Sequence, residues 1–206
     1  LLPITASVAG GASGAVFVNA TDPGGHLQTL TGEGGIVVNS VGNMGLNLGG
    51  AGDLVLNGLV DAMAGGHVLL QANAGSLTFN GSVHSGNGSI SLLSSADQTY
   101  AAGSVVSTSG GSLELLSSQG AVRLDAQSAL RTDGGHVAVT TSGELVLGQI
   151  DTRLASDRLE LTLTGQSDAV TAWGSVSLVS GGGIQDADAD AAVQTVNVYA
   201  NALRIQ

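Results

Sequence analysis

The sequence contains no cysteine and no lysine, only 2 prolines, a single tryptophan, and just 2% aromatic residues. Without cysteine, disulfides, cysteine-ligated zinc and thiol catalysis are excluded. The same absence suits a long protein exported unfolded, which would otherwise risk wrong pairing. All five basic side chains are arginines, set against 16 acids. A net charge of −11 repels phosphate backbones and anionic lipid, so nucleic acid is not an expected partner. No apolar run is long enough to span a bilayer as a helix, so membrane insertion is not expected. The opening "LLPITASVAGG" lacks the basic flank of a secretion signal, and any export address is expected outside these residues.

What is present is aliphatic and repetitive. Hydrophobic residues make up 43% of the chain, too much for disorder, and with so few rings the core must be Val, Leu, Ile and Ala. Turns fall to the 33 glycines rather than to proline, and no Gly-X-Y period is present. Aligning the Gly-plus-aliphatic starts puts Leu27, Leu46, Val68, Ile90, Leu113, Val137 and Leu159 at equivalent points, 19, 22, 22, 23, 24 and 22 residues apart. A period of this size indicates a solenoid. Within each unit "HVLLQA", "SLTFNG", "AVRLDA" and "HVAVTT" alternate with period two, the pattern of a strand with one face in and one out. No Gly-free helical stripe is long enough to compete.

A unit of about 22 residues holds three short strands and three turns, half the length of a propeller blade. Stacking such units pairs each strand with its equivalent above and below, in parallel, and parallel crossovers prefer the right hand. The expected fold is therefore all-β: a right-handed parallel β-helix of about nine coils of 19–24 residues, three short strands per coil, in one domain over 1–206. Such a rod would be roughly 40–45 Å long. Aliphatic side chains stack into columns, while large rings are expected to crowd the interior. One segment breaks the pattern: 149–168, "QIDTRLASDRLELTLTGQSD", reads as an irregular coil or a loop, with a strand resuming at Leu159–Leu163. Neither end of the chain shows a capping helix or a blunted edge strand, so it is expected to be an internal segment of a longer protein or a filament subunit.

The strings "GSISLLSS", "GGSLELLSSQGAVRL" and "GSVSLVSGGGIQDADADAAVQTVNVYANALRIQ" resemble the central rods of filamentous-haemagglutinin-like exoproteins and related giant repetitive bacterial adhesins. The resemblance is one of style and period and carries over no functional residue. It implies an exported, extracellular or cell-surface protein concerned with adhesion, biofilm or envelope architecture. The expected role is a non-catalytic rod or self-associating filament segment. Its partners would be neighbouring coils, further copies end to end, or a host or matrix glycan or protein. The alternative is a polysaccharide-binding or polysaccharide-degrading β-helix.

Few residues invite a chemical role, and no catalytic, cofactor-binding or metal residue is assigned. Asp186, Asp188 and Asp190 alternate in "IQDADADAA", but the Gly and distal Glu of a calcium loop are missing, which favours a solvated acidic turn. His26, His67 and His136 each follow Gly-Gly; three coils, about 14 Å, would separate the latter two, too far to share a metal. They read as corner residues bonding a turn, and His84 has less to suggest a role. Asp125 and Asp133 read as surface partners of Arg123 and Arg131. Trp173 reads as a plug over apolar side chains. Pectin-cleaving β-helices resemble coils with adjacent Asp-Asp, His-Gly and lysine signals, all absent here, and the scattered acids do not form the facing pair that glycoside hydrolysis uses. Thr-x-Thr ladders of an ice-binding solenoid are out of register.

Overall fold

A computed structural model describes the backbone over 15–21, 27–32, 35–42, 45–50, 53–62, 67–159, 172–188 and 195–206. The first strands are long: β1 (Ala15–Thr21), β2 (Leu27–Gly32), β3 (Gly35–Gly42), β4 (Gly45–Gly50) and β5 (Leu54–Ala62). Five laps of three separate strands follow. They are β6 (Val68–Ala72), β7 (Leu77–Phe79) and β8 (Val83–Ser85); then β9 (Ile90–Ser94), β10 (Gln98–Tyr100) and β11 (Val105–Thr108). Next come β12 (Leu113–Ser117), β13 (Val122–Leu124) and β14 (Ala129–Thr132), and β15 (Val137–Thr141), β16 (Leu145–Leu147) and β17 (Gln149–Asp151). The fifth lap is β18 (Ser175–Ser180), β19 (Ile184–Asp186) and β20 (Val198–Tyr199), and β21 (Ala202–Ile205) begins another. A 3-10 turn spans Asp157–Leu159.

Every strand pairs in parallel with its equivalent one lap away, which makes the fold a parallel β-helix. The first face is the sheet β2-β4-β6-β9-β12-β15-β18-β21. The second, β7-β10-β13-β16-β19, and the third, β8-β11-β14-β17-β20, are two arms of one sheet. They join at β5, whose Leu54–Leu56 pairs with β7 and whose Val60–Ala62 pairs with β8. In β1 and β3 the same corner is turned by a register shift next to Val18 and Val38 rather than by a loop. Three separate strands per lap is thus the rule of five coils, not of nine. Eight strands on the first face at about 4.8 Å span roughly 34 Å, shorter than the length expected from the sequence.

The alternation in sequence becomes the alternation of burial. Along β6 and β9 the residues run buried, half-buried, buried, half-buried, buried. Val68, Ile90, Leu113 and Val137 form one column, as the period requires. The next residue in it is Val176, not Leu159. Leu159 ends the 3-10 turn, and the chain rejoins the first face 39 residues after Val137 rather than 22. Of the expected strand Leu159–Leu163, residues 160–163 lie outside the described residues. Gln149–Asp151, expected in the irregular segment, form the regular strand β17. At the other end Leu46 pairs with Gln28, so Leu27 is one residue out of register.

Two rings do enter the core. Phe79 and Tyr100 occupy the same register position on successive laps, their centroids 4.5 Å apart and their planes within 7°. One strand spacing is close to a stacking distance, so parallel laps accept a pair of rings that a single ring would leave half-packed. The Tyr100 hydroxyl donates to Gln98 Oε1 (2.9 Å), and Gln98 Nε2 donates to the carbonyls of Leu92 and Leu116 (both 2.9 Å). Gln98 is fully buried in a column between Leu77 and Val122. Its polar ends are all bonded, which is the condition for burying them at little cost.

Candidate functional site

The polar residues at the corners serve the winding. At the turn into the first face, His67 Nδ1 accepts the Ser89 N–H (3.0 Å) and Ser89 Oγ accepts the Ser112 N–H (3.3 Å). His136 Nδ1 accepts the Ser175 N–H (3.0 Å). Each side chain takes the backbone donor of the following lap, so these histidines are spent on the ladder, in the manner their position after Gly-Gly suggested. Asp53 and Asp97 do the same before the second face, accepting the N–H groups of Ser76 and Ala121 (both 2.8 Å). His26 lies outside the described residues.

The acidic turn behaves similarly. Asp186 Oδ1 accepts the Asp188 N–H (3.1 Å) and Asn197 Nδ2 (2.9 Å), and Asp188 Oδ2 accepts both the N–H and the hydroxyl of Thr195 (2.9 and 2.8 Å). The Thr195 backbone bond, then its hydroxyl, hold the Asp188 carboxyl below its ordinary range. Asp190 lies outside the described residues. Among the described residues no three His, Asp or Glu side chains are grouped to hold a metal ion.

At Arg123 charge pairing follows laps rather than sequence neighbours. Arg123 pairs with Asp97 one lap below (2.8 Å) and Glu144 one lap above (3.7 Å), not with Asp125, whose Oδ1 accepts the Gln127 N–H. Arg131 forms no ion pair with Asp133 or with any other described residue. In a strand, residues two apart are about 7 Å apart, whereas the next lap is about 4.8 Å away.

An elaborate polar cluster, a latch on the excursion, lies where the chain leaves the ladder after β17. Asp151 points outward from the third face yet is 2% exposed, because the chain folds back over it. Arg153 grips it at two points, Nε to Oδ1 (2.9 Å) and Nη2 to Oδ2 (2.8 Å), and its guanidinium carbon lies 3.7 Å from the centre of the Tyr199 ring. Tyr199 is the residue stacked on Asp151 in the next lap. Arg158 Nε stands 3.4 Å from Asp151 Oδ2, and its Nη2 donates to the carbonyls of Thr132 and Arg153. Burial pushes the Asp151 carboxyl up, but the bonds and charges of Arg153, with that of Arg158, outweigh it and hold the group below its ordinary range. Trp173 is buried and donates Nε1–H to Asp157 Oδ2 (2.6 Å), so it pins the return of the excursion. Asp133 Oδ1 accepts the Ala155 N–H (2.6 Å), fastening the excursion to the lap below.

This overhang walls a groove of about 470 Å³ on the third face. Its floor is an outward row, His84, Ser107 and Arg131, in register on β8, β11 and β14. Asp133, Ala155 and Arg158 form the wall. It gathers ionisable side chains from several laps.

No known relative names this site. The protein-family models, the curated proteins and the solved structures contain no match to this chain. What the groove can do follows from its chemistry: guanidinium, imidazole and hydroxyl donors over three laps, with Asp133 as the one carboxylate on its lining. Arg131 looked like half of a surface pair in the sequence. Its signal was the spacing of 84, 107 and 131, which places three outward side chains in one row once the register is known.

Proposed function

We propose that the chain is a non-catalytic structural and adhesive module, a rigid rod segment of an exported bacterial surface protein. The observation that supports it most is the parallel register kept from lap to lap between β6 and β21: each lap lays its aliphatic residues on those below and directs corner side chains to the backbone of the lap above. Such a stack resists bending because each lap is fixed by its neighbours. β21 continues the column, laying Leu203 and Ile205 on Val176 and Leu178. Association with further coils, of the same polypeptide or of another copy end to end, is part of this reading.

A non-catalytic role is favoured by the groove, whose lining holds one carboxylate where glycoside hydrolysis uses two. The test is electron microscopy of the purified chain together with its adhesion to polysaccharide- and protein-coated surfaces. Rods that lengthen with concentration and retention on a coated surface are expected. Round, non-adherent particles, or release of reducing sugar from any polymer, would overturn the proposal.

A further inference from the structure

We propose that the groove on the third face binds a carboxylate-bearing saccharide chain, with Arg131 as its anchor. This goes beyond the scaffold role and stands whether or not the chain polymerises. Arg131 is exposed at one end of the groove's floor row, and among the described residues it makes no ion pair. The chain has only five basic side chains against 16 acids, and two of them line this one hollow beside His84. An unpaired guanidinium offers a planar fork that matches a carboxylate at two points. Arg158 adds a second positive charge, with its Nη2 committed to carbonyls of Thr132 and Arg153. The Asp133 carboxylate is turned to the wall by the Ala155 N–H.

The rest of the lining selects the kind of molecule that carries the carboxylate. Ser82, Ser107 and Ser109 supply hydroxyls, Val105 and Ala155 are the apolar contributions, and the His84 imidazole is the ring on the lining. A peptide ligand draws its affinity from apolar and aromatic anchors, which this surface cannot seat. A polyphosphate packs its negative charges more densely than a saccharide with one carboxylate per ring, so it meets more of the repulsion of a chain with net charge −11. A saccharide chain suits it: its hydroxyls exchange bonds with serines, and an acidic ring places its carboxylate on the guanidinium. His84 and Arg131 are two laps apart, about 10 Å, so the row runs along the rod axis and accepts more than one sugar ring.

The experiment is calorimetric titration of the purified chain with a short oligouronate, its methyl ester and a neutral oligosaccharide. Arg131→Gln and Ser107→Glu are titrated in parallel, and the thermal unfolding of both variants is recorded. Both substitutions lie on exposed or half-exposed outward positions, outside the latch and the core. Saturable binding of the oligouronate, weakened about tenfold or more by either substitution and lost for the ester, is the expected result. The proposal is overturned if the oligouronate does not saturate, if Arg131→Gln with unchanged unfolding binds as the parent does, or if the ester binds equally well. Because microscopy reads the rod and calorimetry the groove, failure of one leaves the other standing.

Discussion

Replacing Gly135 by alanine adds one methyl group at the most crowded point of the winding. Gly88, Gly111, Gly135 and Gly174 stand above one another at the corner before the first face. A Cβ on Gly135 would lie 1.8 Å from the Gly111 carbonyl oxygen, and one on Gly174 would lie 1.8 Å from that of Gly135. Backbone, not a flexible side chain, is what the methyl meets, so relief requires the laps to part. Parting them strains the adjoining bond from the Leu113 N–H to the His136 carbonyl, 2.9 Å long. The expected cost is about 3 kcal/mol, the upper end of overpacking. Gly103 is the control: its φ is +78° and nothing lies within 4 Å of an added Cβ. Gly103→Ala therefore carries only the left-handed backbone penalty, about 1–2 kcal/mol. Urea unfolding followed by circular dichroism compares the two directly, with equal slopes confirming that only stability has changed. Gly135→Ala unfolding at the same or a higher midpoint than Gly103→Ala would refute the stacked corner.

Tyr100→Phe keeps the ring stack on Phe79 but leaves the buried Gln98 Oε1 without its donor, and should lose about 1–3 kcal/mol in the same assay. Arg123→Gln removes an ion pair between half-exposed groups and should change stability by less than about 1 kcal/mol. The latch should respond to acid. Asp151 is held below its ordinary value of 3.8, so its ion pairs stabilise the fold fully above that pH and are lost as pH falls below it. The protection of the Ala155 and Arg158 amides against hydrogen exchange, relative to the intrinsic rate at each pH, should fall below pH 3.8, and Asp151→Asn should abolish that dependence. Protection that does not change with pH in the parent would contradict the latch.

The winding was legible in the sequence wherever the period is kept. Val68, Ile90, Leu113 and Val137 could be placed in one column because each follows a glycine corner and begins an alternating run. The same rule failed at Leu159, which ends a 3-10 turn, while the column continues at Val176. It failed at Leu27 because a glycine-rich edge allows a slip of one residue, which the structure resolves by pairing Gln28 with Leu46. Gln98 gave no sign of burial, since its partners come from the carbonyls of two other strands and a tyrosine two residues on. The groove was not visible for a related reason. Its floor joins residues 23 and 24 positions apart, and its wall comes from an excursion whose course no period predicts.

The absence of cysteine permits a direct test of the stacking itself. Ser91, Glu114 and Ala138 face outward in register on three successive laps of the first face. Neighbours one lap apart, at about 4.8 Å, fall within the Cα range of a disulfide, and those two laps apart fall beyond it. Oxidation should therefore cross-link Ser91→Cys with Glu114→Cys, and Glu114→Cys with Ala138→Cys, and should leave Ser91→Cys with Ala138→Cys open. Cross-linking of that last pair, or failure of the first two in a folded protein, would contradict the parallel winding.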